Sequence, residues 1–384
     1  YGGVPLFNPV FWLAHRPADI PHWFTGDNER VRMVAVPAPD LDTRKRAAAR
    51  LWETLHRARR DREQNAFANE LARLTDGLSL TALQDVVTMT NRMQLRASDV
   101  DDAVRSYRVG DLSNESPWRG QQLRENIRRA ETDDEHRIDR RVMGQPRAVQ
   151  QVLDVLKRTS MGMTAAQSAS AASRPRGVLF FVGPTGVGKT ELAKAIASIV
   201  FGDENAVKRF DMSEFSAEHS GDRLIGAPPG YTGFDQGGEL TNAMRERPFR
   251  VLLFDEVEKA NPLILDKFLQ VLEDGRLTDG RGQTVYFSES LIIFTSNRGV
   301  SERLQDGTVR YLVSPDDKPE EFEIKLREGV ANYFKNTLQR PELLNRIGEN
   351  IVVFHFITPE VGRKILEKNI KDACRSVQAE HGVE

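Results

Sequence analysis

One octapeptide constrains this 384-residue chain more than any other feature: Gly183-Pro184-Thr185-Gly186-Val187-Gly188-Lys189-Thr190. An apolar run, Val178–Val182, precedes it. A helical pattern follows, with Leu192, Ala195, Ile196 and Ile199 at i, i+3, i+4 and i+7. In a strand–loop–helix of this kind the glycines let backbone N–H groups curl around phosphate oxygens without Cβ clashes. The helix N-terminus adds a favourable dipole. Lys189 is suited to neutralise the β- and γ-phosphates, and Thr190 to ligate magnesium. The octapeptide therefore predicts a site for ATP and Mg2+ at the edge of an α/β sheet.

Four more short apolar runs alternate with helical stretches: Val207–Asp211, Val251–Phe254, Leu291–Thr295 and Ile351–Phe354. The pattern predicts an α/β fold, a parallel sheet with helices on both faces. Two of these runs end in polar residues at the edge where such sheets bind ligands. Asp255 and Glu256 follow the third strand, roughly 65 residues after the octapeptide. An acidic pair there commonly caps a helix. At this distance from a phosphate loop, Asp255 is instead expected to hold the magnesium shell and Glu256 to polarise the attacking water. Asn297 follows the fourth strand and is expected to reach the γ-phosphate or the water, a turn residue being the simpler reading of an isolated Asn.

The flanking segments are plainer. Residues 6–13 and 31–36 read as short strands. Residues 41–60 read as a helix capped by Asp42 or Thr43, followed by helices at 66–75, 80–93 and from Asp99. Residues 109–139 are polar and of mixed charge, which predicts a solvated helix and linker. The small-residue stretch 161–173 predicts a flexible loop.

Composition narrows the classes. A formal charge of −2 disfavours nucleic acid as the main partner. One cysteine, Cys374, excludes an intrachain disulfide and suits a cytoplasmic setting. No run approaches the ~20 apolar residues of a membrane span. The sequence starts at Tyr1 rather than Met and reads as a cut form.

The phosphate loop, the acidic strand end and the polar strand end, in this order, resemble the AAA+ superfamily of P-loop ATPases. The intervening text is similar to the second ATPase module of Clp-type unfoldases and disaggregases over about 140–384. The similarity rests on Gly226-Ala227-Pro228-Pro229-Gly230-Tyr231-Thr232-Gly233, Asp255-Glu256-Val257-Glu258-Lys259-Ala260, the run from Leu269 to Gly280, Thr295-Ser296-Asn297, Arg340-Pro341-Glu342-Leu343-Leu344-Asn345-Arg346-Ile347, and Arg141-Val142-Met143-Gly144-Gln145.

The resemblance implies that Gly230, Tyr231, Thr232 and Gly233 form a substrate-gripping pore loop. It implies that Val142 and Met143 border the adenine. It also implies that Arg346 is an arginine finger acting on a neighbouring subunit's ATP, with Arg340 a second candidate. A trans-acting finger implies a homo-oligomer, expected to be a hexamer, working on a protein substrate. Two features depart from the family. Its second sensor arginine belongs to a lid region beyond Glu384, and residues 300–320 lack the aliphatic-Gly-aromatic or aliphatic tripeptide that docks onto a barrel protease. Docking to such a protease is not expected.

Residues 1–107 resemble the tail of another AAA+ module, through Phe11 to Pro21, with His15 where Asn is usual, and Thr75-Asp76-Gly77-Leu78-Ser79. The expected organisation is the end of an incomplete first core at 1–40, its helical lid at 41–108, a linker at 109–139, an ATPase core at 140–356 and the start of a C-terminal lid at 357–384. Ring-forming protein remodelling is the leading expectation. A scaffolding ATPase and a nucleic-acid remodeller stand as alternatives, the aromatic Tyr231 weighing against the latter.

Overall fold

The computed structural model describes residues 10–14, 20–25, 28, 30–34, 36–110, 116–118, 120–133, 137–162, 174–217, 219–231, 233–303 and 309–381. Its centre is a five-stranded sheet of β1 (Gly177–Val182), β2 (Val207–Asp211), β3 (Val251–Asp255), β6 (Leu291–Ser296) and β9 (Ile351–Val353). The order is β2-β3-β6-β1-β9, with every pairing parallel. These are the five apolar runs of the sequence, each within a residue or so of its expected ends. Two antiparallel pairs flank them: β4 (Arg276–Thr278) with β5 (Thr284–Tyr286), and β7 (Ser301–Arg303) with β8 (Val309–Tyr311).

Strand alternation sorts the apolar side chains to the two faces of the sheet. Phe180, Val182, Leu252, Phe254, Ile292 and Phe294 enter one core. Leu179, Phe181, Val251, Leu253, Leu291 and Ile293 enter the other. Burial on both faces is why these strands read as continuous apolar runs rather than alternating ones.

A separate helical unit packs Leu41–Leu51, Gln64–Leu74, Leu80–Arg92 and Val100–Val109 around Phe67, Leu71, Val86, Val100 and Val104. Asp40, not Asp42 or Thr43, caps the first helix, accepting from the Thr43 amide at 2.8 Å. That helix ends at Leu51, and short 3-10 turns at Trp52–Thr54 and Arg57–Arg59 replace the rest of the expected span. Ser79 caps Leu80–Arg92 through the Ala82 amide at 3.2 Å.

Three expectations change. Among the described residues, neither 10–13 nor 31–36 forms a strand. Val10, Phe11, Trp12, Leu13, Val34 and Val36 are exposed there, and among the described residues no neighbouring strand supplies the ladder that an extended segment needs. The helix Gln121–Thr132 is not solvated all round: Leu123, Ile127 and Ala130 form a narrow stripe buried in the second core. Beside it, Trp118 is fully buried and its indole N–H donates to the Glu289 carbonyl at 3.2 Å. His15 and residues 163–173 of the loop expected at 161–173 lie outside the described residues. No helix among the described residues is long and apolar enough to cross a membrane.

Candidate functional site

Parallel register brings three strand ends together. Val182 pairs with Ser296 across β1 and β6, and Phe254 with Phe294 across β3 and β6. The loop after β1, the acidic pair after β3 and Asn297 after β6 therefore emerge side by side at the carboxyl edge. Gly183 N–H donates to the Ser296 carbonyl at 3.3 Å, which ties the start of the phosphate loop to β6.

Within the loop, Gly186 and Gly188 take φ of 78° and 103°, a region that other residues enter at a cost. Nothing lies within 4 Å of where a Cβ on Gly186 would stand. That leaves an open rim between Thr185 and Val187 over the N-terminus of the helix Lys189–Phe201, with Thr190 in its first turn. At Gly183 a Cβ would meet the Phe354 carbonyl oxygen at 2.4 Å, so only glycine fits between β1 and β9. Pro184 follows it and presents its carbonyl inward.

Lys189 is buried, and its ammonium donates to three neutral acceptors: the Gly183 carbonyl at 2.6 Å, the Pro184 carbonyl at 2.9 Å and Asn297 Oδ1 at 2.7 Å. Burial pushes its pKa down to about 8, although Glu258, Asp255 and Glu256 pull the other way. A buried cation at a glycine rim suits a polyanionic ligand.

The acidic side is joined to this lysine through Asn297. Its Nδ2 donates to Glu256 Oε1 at 3.1 Å, and its backbone N–H to Glu258 Oε1 at 2.9 Å. Lys259 donates to the other Glu256 oxygen at 2.5 Å. Glu256 itself is left-handed, with φ 56° and ψ 52°, a conformation costing an L-residue about 1–2 kcal/mol. Thr295 holds it there. Its hydroxyl oxygen accepts from the Glu256 N–H at 3.0 Å, and its proton goes to the Asp255 carboxylate. Arg209 on β2 pairs with the other Asp255 oxygen at 2.7 Å.

Lys259, Thr295, Arg209 and Gln145 were not singled out as site residues from the sequence. Thr295 carried a usable signal, since it is the last residue of its apolar run and lies two positions before Asn297. Gln145 lay in the motif likened to the adenine border, but its partner, 210 positions away, was not legible, and Arg209 carried no signal, its partner lying 46 positions away.

Gln145 closes the far side. It exchanges hydrogen bonds with the His355 backbone, donating at 2.9 Å and accepting at 3.0 Å. This pins the segment Val142–Gln145 against the end of β9. A cavity of about 400 Å³ opens there, lined by Val142, Met143, Gly144 and Gln145 with Val361 and Lys364 from the helix Pro359–His381. It adjoins the phosphate loop, since a Cβ on Gly188 would lie 3.3 Å from the Val142 side chain.

Other expected residues lie elsewhere. Arg346 pairs with Glu273 at 2.7 Å and Arg340 with Asp266 at 2.6 Å, both on the surface of the helix Pro262–Asp274. Tyr231 is 68% exposed between Gly230 (φ 89°) and a second left-handed glycine, Gly233 (φ 92°). Thr232 lies outside the described residues.

Comparison with known proteins agrees with this architecture. Residues 174–350 match the family model described as AAA domain (Cdc48 subfamily). The chain is 46% identical over 235 residues to the chaperone protein ClpB of Propionibacterium freudenreichii subsp. shermanii, covering 61% of this chain and 25% of the relative. It is 46% identical over 300 residues to ClpB 2 of Thermosynechococcus vestitus, covering 76% of this chain and 32% of that one. Heat shock protein 100 of Trypanosoma brucei brucei is 47% identical over 233 residues, 61% of this chain and 25% of that protein. The chain thus spans about a quarter to a third of these relatives. Among solved structures, the closed state of Hsp104 with ATPγS and FITC casein matches with a TM-score of 0.61 and 26% identity, over 90% of this chain and 57% of that one. The five-stranded parallel sheet, the glycine loop at its carboxyl edge and these likenesses together identify an α/β AAA+ fold in residues 174–350 and a likeness to a Clp-type module over most of the chain.

Proposed function

We propose that this chain binds ATP with magnesium between the glycine loop and the cavity at Val142–Gln145, hydrolyses it, and uses the cycle to pull on a protein substrate as a subunit of a ring. The observation that carries the chemistry is the chain of contacts Lys189–Asn297–Glu256. It links the cation suited to the phosphates with the carboxylate suited to the water. Gly183 to Thr190 would hold the phosphates, and Val142 and Met143 the adenine.

Among the described residues, no group of three or more His, Cys, Asp or Glu could hold a metal ion. One carboxylate and one hydroxyl, Asp255 and Thr190, suit Mg2+ held chiefly by phosphates and water. When bound, the ion would neutralise charge on the β- and γ-phosphates. Glu256 would accept a proton from the water whose oxygen attacks the γ-phosphorus. The bond from that phosphorus to the bridging oxygen would break, and ADP would leave with its electron pair. Lys189 and Asn297 would orient the γ-phosphate and the water. Arg346, exposed and paired with Glu273 at the surface, could exchange that carboxylate for the ATP of a neighbouring subunit in a homo-oligomer, proposed as a hexamer.

The mechanical output is assigned to Tyr231. An exposed aromatic between two left-handed glycines is poised for transient contact with another chain. The exposed Cys374 thiol fits a reducing, cytoplasmic setting. Tyr231→Ala should keep basal ATPase activity and thermal stability, yet lose stimulation by fluorescein-labelled casein. Wild-type processing of casein by that variant would remove the threading reading in favour of a scaffolding role.

A further inference from the structure

The β4–β5 hairpin touches two parts of the molecule outside the ATP site. Its inward residues, Leu277 and Val285, are buried in the first core and fix its position. Arg276 and Tyr286 are cross-strand partners on the opposite side and meet the helical unit. Arg108, in the last turn of Val100–Val109, lays its guanidinium 5.1 Å from the Tyr286 ring centroid. The same side chain donates to the Leu74 carbonyl at 2.7 Å. At Gly77, a left-handed turn residue, an added Cβ would stand 2.5 Å from Arg276 Nη1, so the guanidinium lies directly on the backbone. Burial is the main influence on the Arg108 guanidinium and pushes its pKa down, as expected of a contact that excludes water.

The hairpin's tip meets the Tyr231 loop. Asp279 has a fully buried side chain, paired with Arg245 and, at 3.5 Å, with Arg281. An added Cβ on Gly280 would stand 2.0 Å from the Ala227 carbonyl oxygen. One on Gly226 would stand 3.1 Å from Gly238 N and 3.2 Å from Gly280 N. Arg281 donates to the Asp235 carbonyl at 3.3 Å. The tip therefore packs its backbone at Gly280 against Gly226 and Ala227 at the start of the 226–238 loop and its Arg281 side chain against Asp235 and Gly237 near the end, so a displacement at its base has little slack before it reaches the loop.

We propose that the β4–β5 hairpin is a strut through which the helical unit 41–110 positions the Tyr231 loop, with Arg108 and Tyr286 as the positioning residues. Its effect on output rests on the reading that Tyr231 contacts a protein substrate. The mechanical link itself does not.

The test is hydrogen exchange on the whole chain. Arg108→Met and Tyr286→Thr should each speed exchange of the amides of 226–238 about fivefold, with β3 and β6 unchanged. The double variant should do no more than the larger single, because both remove the same Arg108–Tyr286 contact at the hairpin. Tyr286→Phe keeps the ring and should restore wild-type exchange. Unchanged loop exchange, additive effects in the double variant, or acceleration that spreads equally to β3 and β6 would each overturn the strut. Casein stimulation separates the two readings. If the exchange result holds while Tyr231→Ala still responds to casein as wild type does, the strut stands and the threading reading goes.

Discussion

Removing the Thr295 hydroxyl should damage both stability and turnover. Thr295 is fully buried and serves two groups at once, the strained Glu256 N–H and the Asp255 carboxylate. Thr295→Val keeps the shape and removes the oxygen. It leaves the Glu256 N–H unsatisfied, at about 1–3 kcal/mol, and takes one of two partners from the charged Asp255, which keeps Arg209, at about 1–2 kcal/mol, so the loss should be about 2–5 kcal/mol. For a core of this size that is roughly a 5–15 °C fall in Tm. Glu256 would also lose the contact that holds it left-handed, and its carboxylate would swing from Asn297. kcat should fall about 10- to 10²-fold with KM little changed, short of the roughly 10²–10⁴-fold cost of losing the base outright. A thermal melt beside a steady-state ATPase assay reads both. Thr295→Ser, which keeps the hydroxyl, should stay near wild type. A Thr295→Val protein with Tm within about 2 °C and kcat within about twofold of wild type would refute the bridging role.

Glu256→Gln should retain ATP in an equilibrium binding assay while turnover drops about 10²–10⁴-fold; a fall of twofold or less would show that another group takes the proton. Lys189 should make stability depend on alkaline pH. Its folded pKa of about 8 lies below the ordinary 10.5, so the unfolded chain binds the extra proton between those values, and stability rises with pH across that window. The rise is at most about 3 kcal/mol. Lys189→Met should flatten it, and equal urea-unfolding slopes against pH in both proteins would contradict the burial argument. Arg346→Ala should cut hydrolysis far more than binding. Mixing it with Lys189→Ala subunits should restore some activity, and failure in rings shown to be mixed would argue against action across the interface.

The sequence by itself determined the sheet and its chemical edge. Five apolar runs, each ending within a residue or so of its strand, became five parallel strands, because burial on both faces leaves a continuous apolar signature. The glycine loop, Asp255–Glu256 and Asn297 were legible because each sits at the end of such a run, and parallel register brings the ends together. Other features depended on partners remote in the chain. Trp118 and the stripe Leu123, Ile127 and Ala130 look like a polar linker until the second core covers them. Residues 31–36 look like a strand but have no ladder to join among the described residues, since an extended segment is stabilised only by what lies beside it. The left-handed turn at Glu256 is held by Thr295 from another strand. The clamp of Gln145 on the His355 backbone spans 210 positions, and Arg108 reaches Tyr286 only across the boundary between the helical unit and the sheet. Local pattern reports what a residue prefers. Which hydroxyl, ring or carbonyl it meets is decided by packing, and at this site packing determines where the Glu256 carboxylate points.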